Sequence, residues 1–403
     1  MTERKWLSRR ALLAAGSLAA TGAPALGAEP QGRRLGEGRR FYGERSPFET
    51  SARSFGASTL PVPTGASRTP LQDLFGIITP SALHFERHHS GVPAIDPAAH
   101  ALVIHGLVER PLRLSMSDLR RFPSVSRIHF IECAGNGGRE HRGDPGATAA
   151  LSHGLLSCSE WSGILLRTLL QEVGARPTAR WIIAEGADAS RHVRSIPIEK
   201  ALDDTIIAYG QNGEALRPEQ GYPLRLVVPG WEGNVSVKWL QRLQVAEEPA
   251  MARDEAAVYT DFMPNGRSLH FTFEQEANSV ITRPSGGQHL ERRGFHEISG
   301  LAWSGRGRIA KVEVSTDQGR TWHAAELQGP VFTKALTRFR LPWRWSGGET
   351  TLESRATDET GYVQPTREAL VAKRGLTPGP DGFLHYHGIK RWFVKASGEV
   401  SHV

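Results

Sequence analysis

The sequence predicts a mixed α+β domain followed by a β-sandwich of the immunoglobulin type. Three observations lead to this prediction. The chain has 403 residues, which is too long for a single hydrophobic core. Strand-like runs are mixed with helical stretches over residues 70–245, whereas residues 295–372 contain short alternating runs separated by turn residues and almost no helix signal. At least two domains are therefore expected.

Residues 1–28 have the pattern of a twin-arginine signal peptide. Arg9 and Arg10 precede a stretch of Ala, Leu and Gly that ends in small residues at Ala25 and Ala28. A membrane-anchoring helix is the alternative, but the stretch is weakly apolar for a permanent span. The twin-arginine route exports folded proteins, so we expect a periplasmic protein that receives its cofactor before export. No other segment is long and apolar enough to cross a membrane.

Charge and cysteine usage exclude several function classes. The formal net charge is +7, but residues 1–28 carry four basic residues and one acidic one, so the remaining chain has a net charge of +4 without a basic stripe. We therefore expect no nucleic-acid partner. Cys133 and Cys158 are the only cysteines, which excludes a CxxC zinc pair and a CxxCH haem attachment site. Any metal must be held mostly by ligands other than cysteine.

The predicted elements follow in chain order. Residues 29–69 are rich in Gly, Ser, Arg and Pro and are predicted to form an extended arm outside the cores. Strands are predicted at residues 101–107, 127–132, 181–184 and 223–228. The clearest helix follows Gly163: leucines spaced three or four residues apart form one apolar face, and Gly174 marks its end. Residues 376–403 are expected to be an ordered tail outside the cores.

Cys133 ends a predicted strand and precedes a glycine-containing loop, AGNGG at residues 134–138. Glycines there would let a large ligand approach the backbone. A thiolate is a soft ligand that can hold a transition metal if a cofactor supplies the remaining ligands. Two alternatives stay open on the residues alone: a structural cysteine at a strand end, and a disulfide with Cys158, which otherwise is an inert side chain near a helix start.

Several motifs together resemble the sulfite oxidase family of molybdenum enzymes. In the amino-terminal part they are HFERHHSGVP at residues 84–93, FIECAGN at 130–136, WSGIL at 161–165, GYPLRLVVPG at 221–230 and SVKWL at 236–240. ISGLAWSG at 298–305, VEVSTDQGRTW at 312–322 and RATDETGYVQP at 355–365 are similar to that family's dimerisation domain. The resemblance covers residues 71–372. It implies a molybdopterin-binding domain at 70–250 and an immunoglobulin-like dimerisation domain at 251–375.

The resemblance also implies catalytic roles. Cys133 is similar to the thiolate that binds molybdenum, the other sulfurs coming from molybdopterin. Arg87 matches the arginine that faces the substrate anion, and His88 and His89 match the pterin contacts that follow it, with His88 replacing the usual Asn. Tyr259 matches an active-site tyrosine whose hydroxyl donates a hydrogen bond at the metal; a half-buried linker tyrosine is the alternative.

Pterin and phosphate contacts follow from the same resemblance. They are assigned to Asp188, Arg225, Ser236, Val237 and Lys238. A lysine and an arginine suit a phosphate, because one supplies a point charge and the other a fork of donors. Surface charges are the alternative reading for these residues. Gln220 occupies a position where the family often has His, which weakens a phosphate contact there.

One departure from the family concerns the substrate. Animal and plant sulfite oxidases carry two arginines after CAGN, whereas this chain has Gly137 and Gly138, followed by Arg139. We interpret the glycines as a wider, less positive mouth, with Arg139 as a further candidate catalytic residue. The alternative is a flexible loop without a role in specificity.

The resemblance is strongest to sulfane dehydrogenase within the family, through residues 69–89 and 385–392. It implies oxidation of sulfane sulfur on a sulfur-carrier protein in thiosulfate oxidation, with molybdenum-molybdopterin as the cofactor. Because the chain has no haem motif, electrons should leave to a c-type cytochrome subunit, and a homodimer within a heterotetramer is expected. A free-sulfite dehydrogenase and a non-catalytic sulfur-carrier or assembly protein are the alternative hypotheses.

Overall fold

The computed structural model describes residues 38–39, 41–55, 64–141, 147–263, 265–375 and 384–403. By its internal contacts the chain forms two units, Met1–Thr50 and Ser51–Val403. The described part of the first unit contains a turn in which Glu49 N donates to Ser46 O over 3.0 Å. The predicted signal peptide lies outside the described residues. The helices and strands of the described residues belong to the second unit.

The amino-terminal part of the second unit alternates strands with short helices. Its strands are β1 (Gly65–Ser67), β2 (Glu86–His88), β3 (Ala101–Gly106), β4 (Leu112–Ser115), β5 (Val125–Glu132), β6 (Leu156–Leu165), β7 (Trp181–Gly186), β8 (Val193–Pro197), β9 (Ile206–Gln211), β10 (Glu214–Ala215), β11 (Arg225–Val227) and β12 (Leu240–Ala246). Its helices are α1 (Met116–Leu119), α2 (Gly138–His141), α3 (Ala149–His153), α4 (Leu166–Val173) and α5 (Ile198–Asp203).

Two sheets and a small ribbon organise these strands. Sheet 1 has the order β10-β9-β6-β5, with β11 also paired to β9, and all its pairs are antiparallel. Sheet 2 has the order β4-β3-β12-β7-β8, in which β3 and β12 run parallel. The ribbon pairs β1 with β2 and places Ala66 opposite Arg87. The ends of β5, β11 and β12 are thereby brought near this ribbon.

Helix α4 shows how a local pattern produces an element. Its apolar side chains are buried on one face against the core of sheet 2: Leu166, Leu169, Leu170 and Val173. Gly174 ends the helix in the left-handed conformation, with φ of 64°, which glycine adopts without a steric penalty. The predicted helix and its end are confirmed. Trp161 to Leu165, however, extend β6 before the helix begins.

The carboxyl-terminal part consists almost entirely of strands. They are β13 (Thr260–Phe262), β14 (Ser268–His270), β15 (Asn278–Arg283), β16 (Gly294–Trp303), β17 (Ile309–Ser315), β18 (His323–Ala324), β19 (Glu326–Leu327), β20 (Thr337–Trp345), β21 (Thr350–Asp358), β22 (Arg391–Val394) and β23 (Val400–His402), with one helix, α6 (Arg367–Arg374). Sheet 3 has the order β15-β16-β20-β19, and sheet 4 the order β18-β17-β21-β22-β23. Their apolar faces share one core, so the predicted α+β fold with a following sandwich is confirmed.

Two expectations about the chain ends are wrong. The end of the predicted arm is not peripheral, because β1 pairs with β2 and the side chains of Ser67 and Thr69 are fully buried. The predicted tail supplies β22 and β23 to sheet 4, and Trp392 is fully buried in the sandwich core. Residues 64–69 and 384–403 are therefore parts of the folded body, whereas residues 41–50 of the predicted arm are exposed. Among the described helices, none has the length and apolarity needed to cross a bilayer.

Candidate active site

A cavity opens between the β1–β2 ribbon, the end of β5 and the segment from Gln220 to Trp239, with Tyr259 on its far side. It encloses about 670 Å³, part of which is open to solvent. Ten of the eleven predicted site residues line it: Arg87, His88, His89, Cys133, Asp188, Arg225, Ser236, Val237, Lys238 and Tyr259. The exception is Arg139. The chain thus brings together residues from four separate sequence motifs, with Asp188 and Tyr259 from outside them.

Cys133 stands where strand pairing stops. Its backbone N donates to Leu155 O over 2.9 Å, which extends the β5–β6 pairing by one residue, and its carbonyl then accepts from Asn136 N in a turn. The thiol is free and half-buried. Burial raises the pKa of the Cys133 thiol, while the nearby charge of Arg87 acts in the opposite direction. The thiol is therefore protonated until a metal replaces its proton.

Tyr259 follows a π-helical turn at Asp254–Val258, a distortion often found at functional sites. Its hydroxyl lies 3.4 Å from Nε2 of His89, and the guanidinium of Arg194 stacks 4.7 Å from its ring centroid. Burial lowers the pKa of His89 to about 4, so its ring is neutral and its Nε2 can accept a hydrogen bond from the Tyr259 hydroxyl. Burial raises the pKa of Tyr259, so the hydroxyl keeps its proton as a donor.

A histidine–carboxylate pair supports this end of the cavity. His192 stacks against His89 with ring centroids 5.9 Å apart. Its Nδ1 lies 2.8 Å from Oδ2 of Asp254, and its Nε2 donates to Asn234 O over 2.9 Å. Burial alone would raise the pKa of Asp254, but the hydrogen bond and charge of His192 hold it below the usual value. His192 therefore fixes the wall behind His89.

Arg87 and His88 project from β2. The Arg87 guanidinium donates to His88 O over 2.7 Å, and none of the ion pairs among the described residues involves it. Nε2 of His88 lies 2.9 Å from Oε1 of Glu86, and the ring packs so close to Gly65 that a Cβ there would approach it within 2.6 Å. The β1 glycine therefore makes room for the histidine that replaces the usual Asn.

Arg225 and Lys238 are two cations of the cavity lining, and their surroundings show whether the residues fit molybdopterin. The Arg225 guanidinium, 3% exposed, donates to the carbonyls of Gln220 and Ser236. The Lys238 ammonium donates to the carbonyls of Arg87 and Glu219, each over 2.9 Å. Neither cation has a carboxylate partner among the described residues. Burial lowers the pKa of Arg225 to about 9 and that of Lys238 to about 7. Such unneutralised cations fit a phosphate group.

The remaining contacts shape the cavity wall. Asp188, 4% exposed, accepts from Ser90 Oγ over 3.2 Å and from His192 N over 3.1 Å. The Ser236 hydroxyl accepts from Val228 N over 3.0 Å, and Val237 O accepts from Leu226 N. Among the described residues, no three His, Cys, Asp or Glu side chains form a metal site. Cys133 could therefore hold molybdenum only with ligands from the cofactor, as the resemblance implies.

A buried polar network lies directly behind Cys133. Glu132, 3% exposed, accepts from Asn136 Nδ2 over 2.8 Å and from Trp303 Nε1 over 2.7 Å. Burial raises the pKa of Glu132 to about 7, although both hydrogen bonds favour its charged form. Trp303 belongs to β16, so this carboxyl connects the loop that carries Cys133 to the sandwich core.

The carboxyl-terminal segment also contacts this loop. His385 N donates to Ala134 O over 3.0 Å, and the His385 ring forms a hydrogen bond with the buried Glu232. Tyr386 covers Gly137, where an added Cβ would approach the tyrosine ring within 2.8 Å. Sequence reasoning placed these residues in a peripheral tail. In the structure they form the rear wall of residues 133–138, the loop that carries Cys133, named here the metal loop.

The prediction of a widened mouth at Gly137 and Gly138 is therefore wrong. Gly137, with φ of 73°, packs beneath Tyr386, and Gly138 is buried as the first residue of α2. Arg139 lies on α2 outside the cavity lining. Gly135 is the exposed position of the loop: an added Cβ there would have no neighbour within 4 Å. The open space thus lies beside Gly135.

Cys158 contrasts with Cys133. It lies within β6 opposite Phe130, not at a helix start, and is fully buried. Burial raises the pKa of its thiol to about 12. Both cysteines are free, so the alternative of a disulfide between them is wrong for this structure, and the prediction of Cys158 as an inert side chain agrees with its burial.

Three residues near the cavity were missed from the sequence. His84 and His192 line it. Arg68 lies within electrostatic reach of Cys133: burial and the charge of Arg139 lower the pKa of Arg68, and Cys133 acts in the opposite direction. His84 stands in the motif HFERHHSGVP, but no role was assigned to it from the sequence. No sequence signal pointed to His192 or Arg68.

Comparisons with known proteins agree with this geometry. Residues 89–253 match the family model of the oxidoreductase molybdopterin binding domain, and residues 270–378 match that of the Mo-co oxidoreductase dimerisation domain. The crystal structure of the sulfane dehydrogenase SoxCD from Paracoccus pantotrophus is similar with a TM-score of 0.89 and 44% identity. That match covers 95% of this chain and 99% of the other.

Relatives with other activities are more distant. Sulfite oxidase of Gallus gallus is 33% identical over 73% of this chain and 69% of its own length. Nitrate reductase [NADH] of Ulva prolifera is 29% identical over 72% of this chain and 38% of its own length, so this chain spans well under half of that relative. The domain matches, these identities and a cavity suited to molybdopterin lead to one conclusion: the chain belongs to the sulfite oxidase family of molybdenum-molybdopterin oxidoreductases.

Proposed function

We propose that this chain is the catalytic subunit of a periplasmic sulfane dehydrogenase. It oxidises sulfane sulfur held on a sulfur-carrier protein and passes the electrons to a c-type cytochrome subunit. The observation that carries the proposal is the 44% identity to a sulfane dehydrogenase over nearly the full length of both chains, against 29–33% for sulfite oxidases and nitrate reductases.

The site residues support sulfur oxidation because they have separate chemical roles. Molybdenum, when bound through Cys133 and molybdopterin, supplies two-electron oxygen-transfer chemistry. Arg87 lies near the thiol and has no carboxylate partner in the described ranges of the chain, so it can bind an anionic sulfur group. The Tyr259 hydroxyl and neutral His89 form a hydrogen-bonded pair that can hold a proton next to that group.

The position of Gly135 supports a large substrate. Its backbone N–H donates to the Cys133 sulfur, and no atom of the described residues would lie within 4 Å of a Cβ added at Gly135. A carrier protein that presents sulfur on an extended segment needs such an opening beside the metal. Gly135 lies outside the cavity lining, so the proposed opening is the exposed surface next to Cys133, where the sequence argument had placed an opening at Gly137 and Gly138.

Partners and location form the second part of the proposal. The match to a dimerisation domain supports a homodimer through the sandwich. The absence of a haem motif from the sequence makes a separate cytochrome the electron acceptor, within a heterotetramer. Export by the twin-arginine route is tested by changing Arg9 and Arg10 to Lys together. Unchanged yield in the periplasm would overturn it.

The decisive experiment measures kcat/KM of the molybdenum-loaded protein, with and without a c-type cytochrome, on carrier-bound sulfane sulfur, free sulfite and nitrate. We expect carrier-bound sulfur to be the best substrate by roughly tenfold or more, a difference of about 1.4 kcal/mol in transition-state binding. Gly135→Arg should lower kcat/KM for the carrier-bound substrate more than for sulfite. Gly135→Ala should leave kcat/KM for both substrates unchanged. A wild-type preference for free sulfite, or an equal loss on both substrates in Gly135→Arg, would contradict the proposal.

Free-sulfite dehydrogenase is the second candidate function. The half-buried Arg68 favours it, because a further cation within reach of Cys133 would suit a compact dianion. A preference for free sulfite that falls in Arg68→Met would establish this alternative. A non-catalytic sulfur-carrier or assembly protein would be indicated by purified, exported protein that lacks stoichiometric molybdenum and pterin.

A further inference from the structure

We propose that His84 is a third ligand of the cofactor's phosphate group, which it binds as an imidazolium through Nε2. Arg225 and Lys238 are the other two. The inference rests on the molybdopterin cofactor, and it does not depend on which sulfur compound the enzyme oxidises.

The His84 ring has one buried nitrogen without a partner. The residue is 1% exposed and lines the cavity. Its Nδ1 lies 2.9 Å from Phe85 O, a carbonyl that can only accept, so Nδ1 carries a hydrogen. Nε2 is buried and has no hydrogen-bond partner in the part of the chain that the structure describes. Because a buried polar atom without a partner is costly, a polar ligand in the cavity is expected to satisfy it.

Neighbouring rings hold the imidazole in this orientation. It stacks on Phe85 with centroids 5.2 Å apart, and Trp161 meets its face edge-on at 5.7 Å. Phe85 O also accepts from Gln220 Nε2 over 2.8 Å, so Gln220 is engaged away from the ligand. A ring flip would place an unprotonated nitrogen or a carbon against that carbonyl. Nε2 therefore stays directed at the cavity.

The charges around His84 identify the ligand as an anion. Arg225, Lys238 and Arg53 all act on the ring. Arg53 is paired with Glu86 over 2.9 Å and with Glu219 over 3.5 Å. Within the described residues Arg225 and Lys238 bond to carbonyls and to no carboxylate, so no hydrogen-bonded carboxylate there neutralises their charges. A phosphate dianion beside these two cations completes the site.

The same charges make the binding dependent on pH. Burial, followed by the charges of Arg225, Lys238 and Arg53, lowers the pKa of His84 to about 3 without cofactor, so the ring is neutral. A dianion at Nε2 favours the protonated ring and raises this pKa. Binding therefore takes up a proton, and it strengthens as the pH falls.

Sulfate is the probe, because it stays a dianion across the range of about pH 5 to 8. Titration calorimetry of the cofactor-free full chain, in two buffers with different ionisation heats, counts the protons taken up per sulfate. At about pH 5.5 Lys238, with a pKa of about 7, is already charged, so uptake there reports His84. We expect close to one proton for the wild type and none for His84→Phe, with sulfate affinity reduced roughly tenfold or more.

His153→Phe is the matched control. His153 is fully buried, its Nε2 also has no partner, and burial lowers its pKa to about 3, but it lies outside the cavity lining. This variant should bind sulfate and take up the proton as the wild type does. Proton uptake in His84→Phe equal to the wild type, or loss of uptake in His153→Phe as well, would overturn the proposal.

The molybdenum-loaded protein gives a second readout. His84→Phe should lose pterin on dilution faster than the wild type, whereas His84→Gln, which keeps a donor, should lose it at an intermediate rate. Equal retention in all three proteins would overturn the proposal. If the protein instead prefers another sulfur substrate, only the proposed function fails, because pterin retention and proton uptake do not depend on turnover.

Discussion

The cavity has two ends that differ in construction. At the thiolate end, Cys133, Arg87 and Tyr259 are half-buried and come from a strand end, a ribbon and a linker. At the cation end, Arg225 and Lys238 are enclosed by carbonyls and aromatic rings, with Arg225 stacked 4.9 Å from the centroid of Trp161. Lys238 is half-buried as well, but Arg225 is 3% exposed, so the cation end is the more enclosed of the two.

The difference shows where the cofactor contributes to stability. At the thiolate end without metal, the cysteine and tyrosine are protonated and neutral, and Arg87 carries the charge in a half-buried position. The cation end carries charge that burial penalises and no hydrogen-bonded carboxylate offsets. Loading the cofactor should therefore stabilise the protein mainly at the cation end and create reactivity mainly at the thiolate end. Each of the following predictions separates these two contributions.

Cys133→Ser has the largest expected effect. Turnover should become undetectable, because a hydroxyl is a hard and weakly acidic replacement for a thiolate. Pterin content should remain close to that of the wild type, since the cation end is intact. Cys158→Ser is the control, and it should retain activity per molybdenum. An active Cys133→Ser enzyme together with an inactive Cys158→Ser enzyme would show that the metal ligand is misassigned.

Arg87→Met should lower kcat/KM for the sulfur substrate by roughly ten- to a hundredfold, which is the value of one charge-assisted hydrogen bond. Molybdenum and pterin contents should not change. Arg391→Met, which removes an exposed arginine of sheet 4 instead, serves as a control for the loss of charge. If Arg87→Met loses cofactor and keeps kcat/KM per molybdenum, Arg87 belongs to the cofactor site.

Lys238→Met tests the cation end through pH. The pKa of Lys238 is about 7 in the folded cofactor-free protein and higher when unfolded. Above pH 7 the unfolded state therefore binds more protons, and the free energy of unfolding rises with pH by at most about 1.4 kcal/mol per unit. Urea unfolding of the wild type should show this rise between about pH 7 and 9, and Lys238→Met should lack it. If the free energy of unfolding depends on pH in the same way in both proteins, the lowered pKa of Lys238 is refuted.

The smallest expected effect distinguishes two glycines of one loop. Gly137→Ala should cost on the order of 1–3 kcal/mol of unfolding free energy, because φ is 73° and the added Cβ would contact Tyr386. Gly135→Ala should change it by less than about 0.5 kcal/mol. Urea unfolding measures both. A tolerated Gly137→Ala would mean that the carboxyl-terminal segment does not press on the metal loop.

Helices and strands that depend on the spacing of neighbouring residues were predicted from the sequence. The spacing of leucines indicated α4, and the alternating runs indicated the sandwich. The strand-like run at residues 127–132 placed Cys133 at the end of a strand, and the resemblance carried by FIECAGN implied its role as a metal ligand. Cys158 was misplaced because β6 is covered on both faces, so its residues show no alternation that distinguishes a strand from a buried helix.

Contacts between distant segments could not be predicted in this way. Gly137 and Gly138 suggested an open mouth, since nothing in the adjacent sequence shows that Tyr386 covers them. His84 gained its importance from Arg225 and Lys238, which reach it only through the pairing of β9 with β11 and the return of the chain along β12. Burial and charge at the cation end are therefore properties of the assembled fold.

The closure of the metal loop by the carboxyl-terminal segment has a consequence for synthesis. Lys390 contacts Glu140 across 250 residues of chain, next to the hydrogen bond from His385 to Ala134. At bacterial elongation rates of about 5–20 residues per second, the ribosome needs roughly 12–50 s to produce that partner after the loop has emerged. For this interval the loop lacks its rear wall. A prematurely terminated chain would lack it permanently. The loop that carries Cys133 is therefore covered in complete chains and stays uncovered in truncated ones.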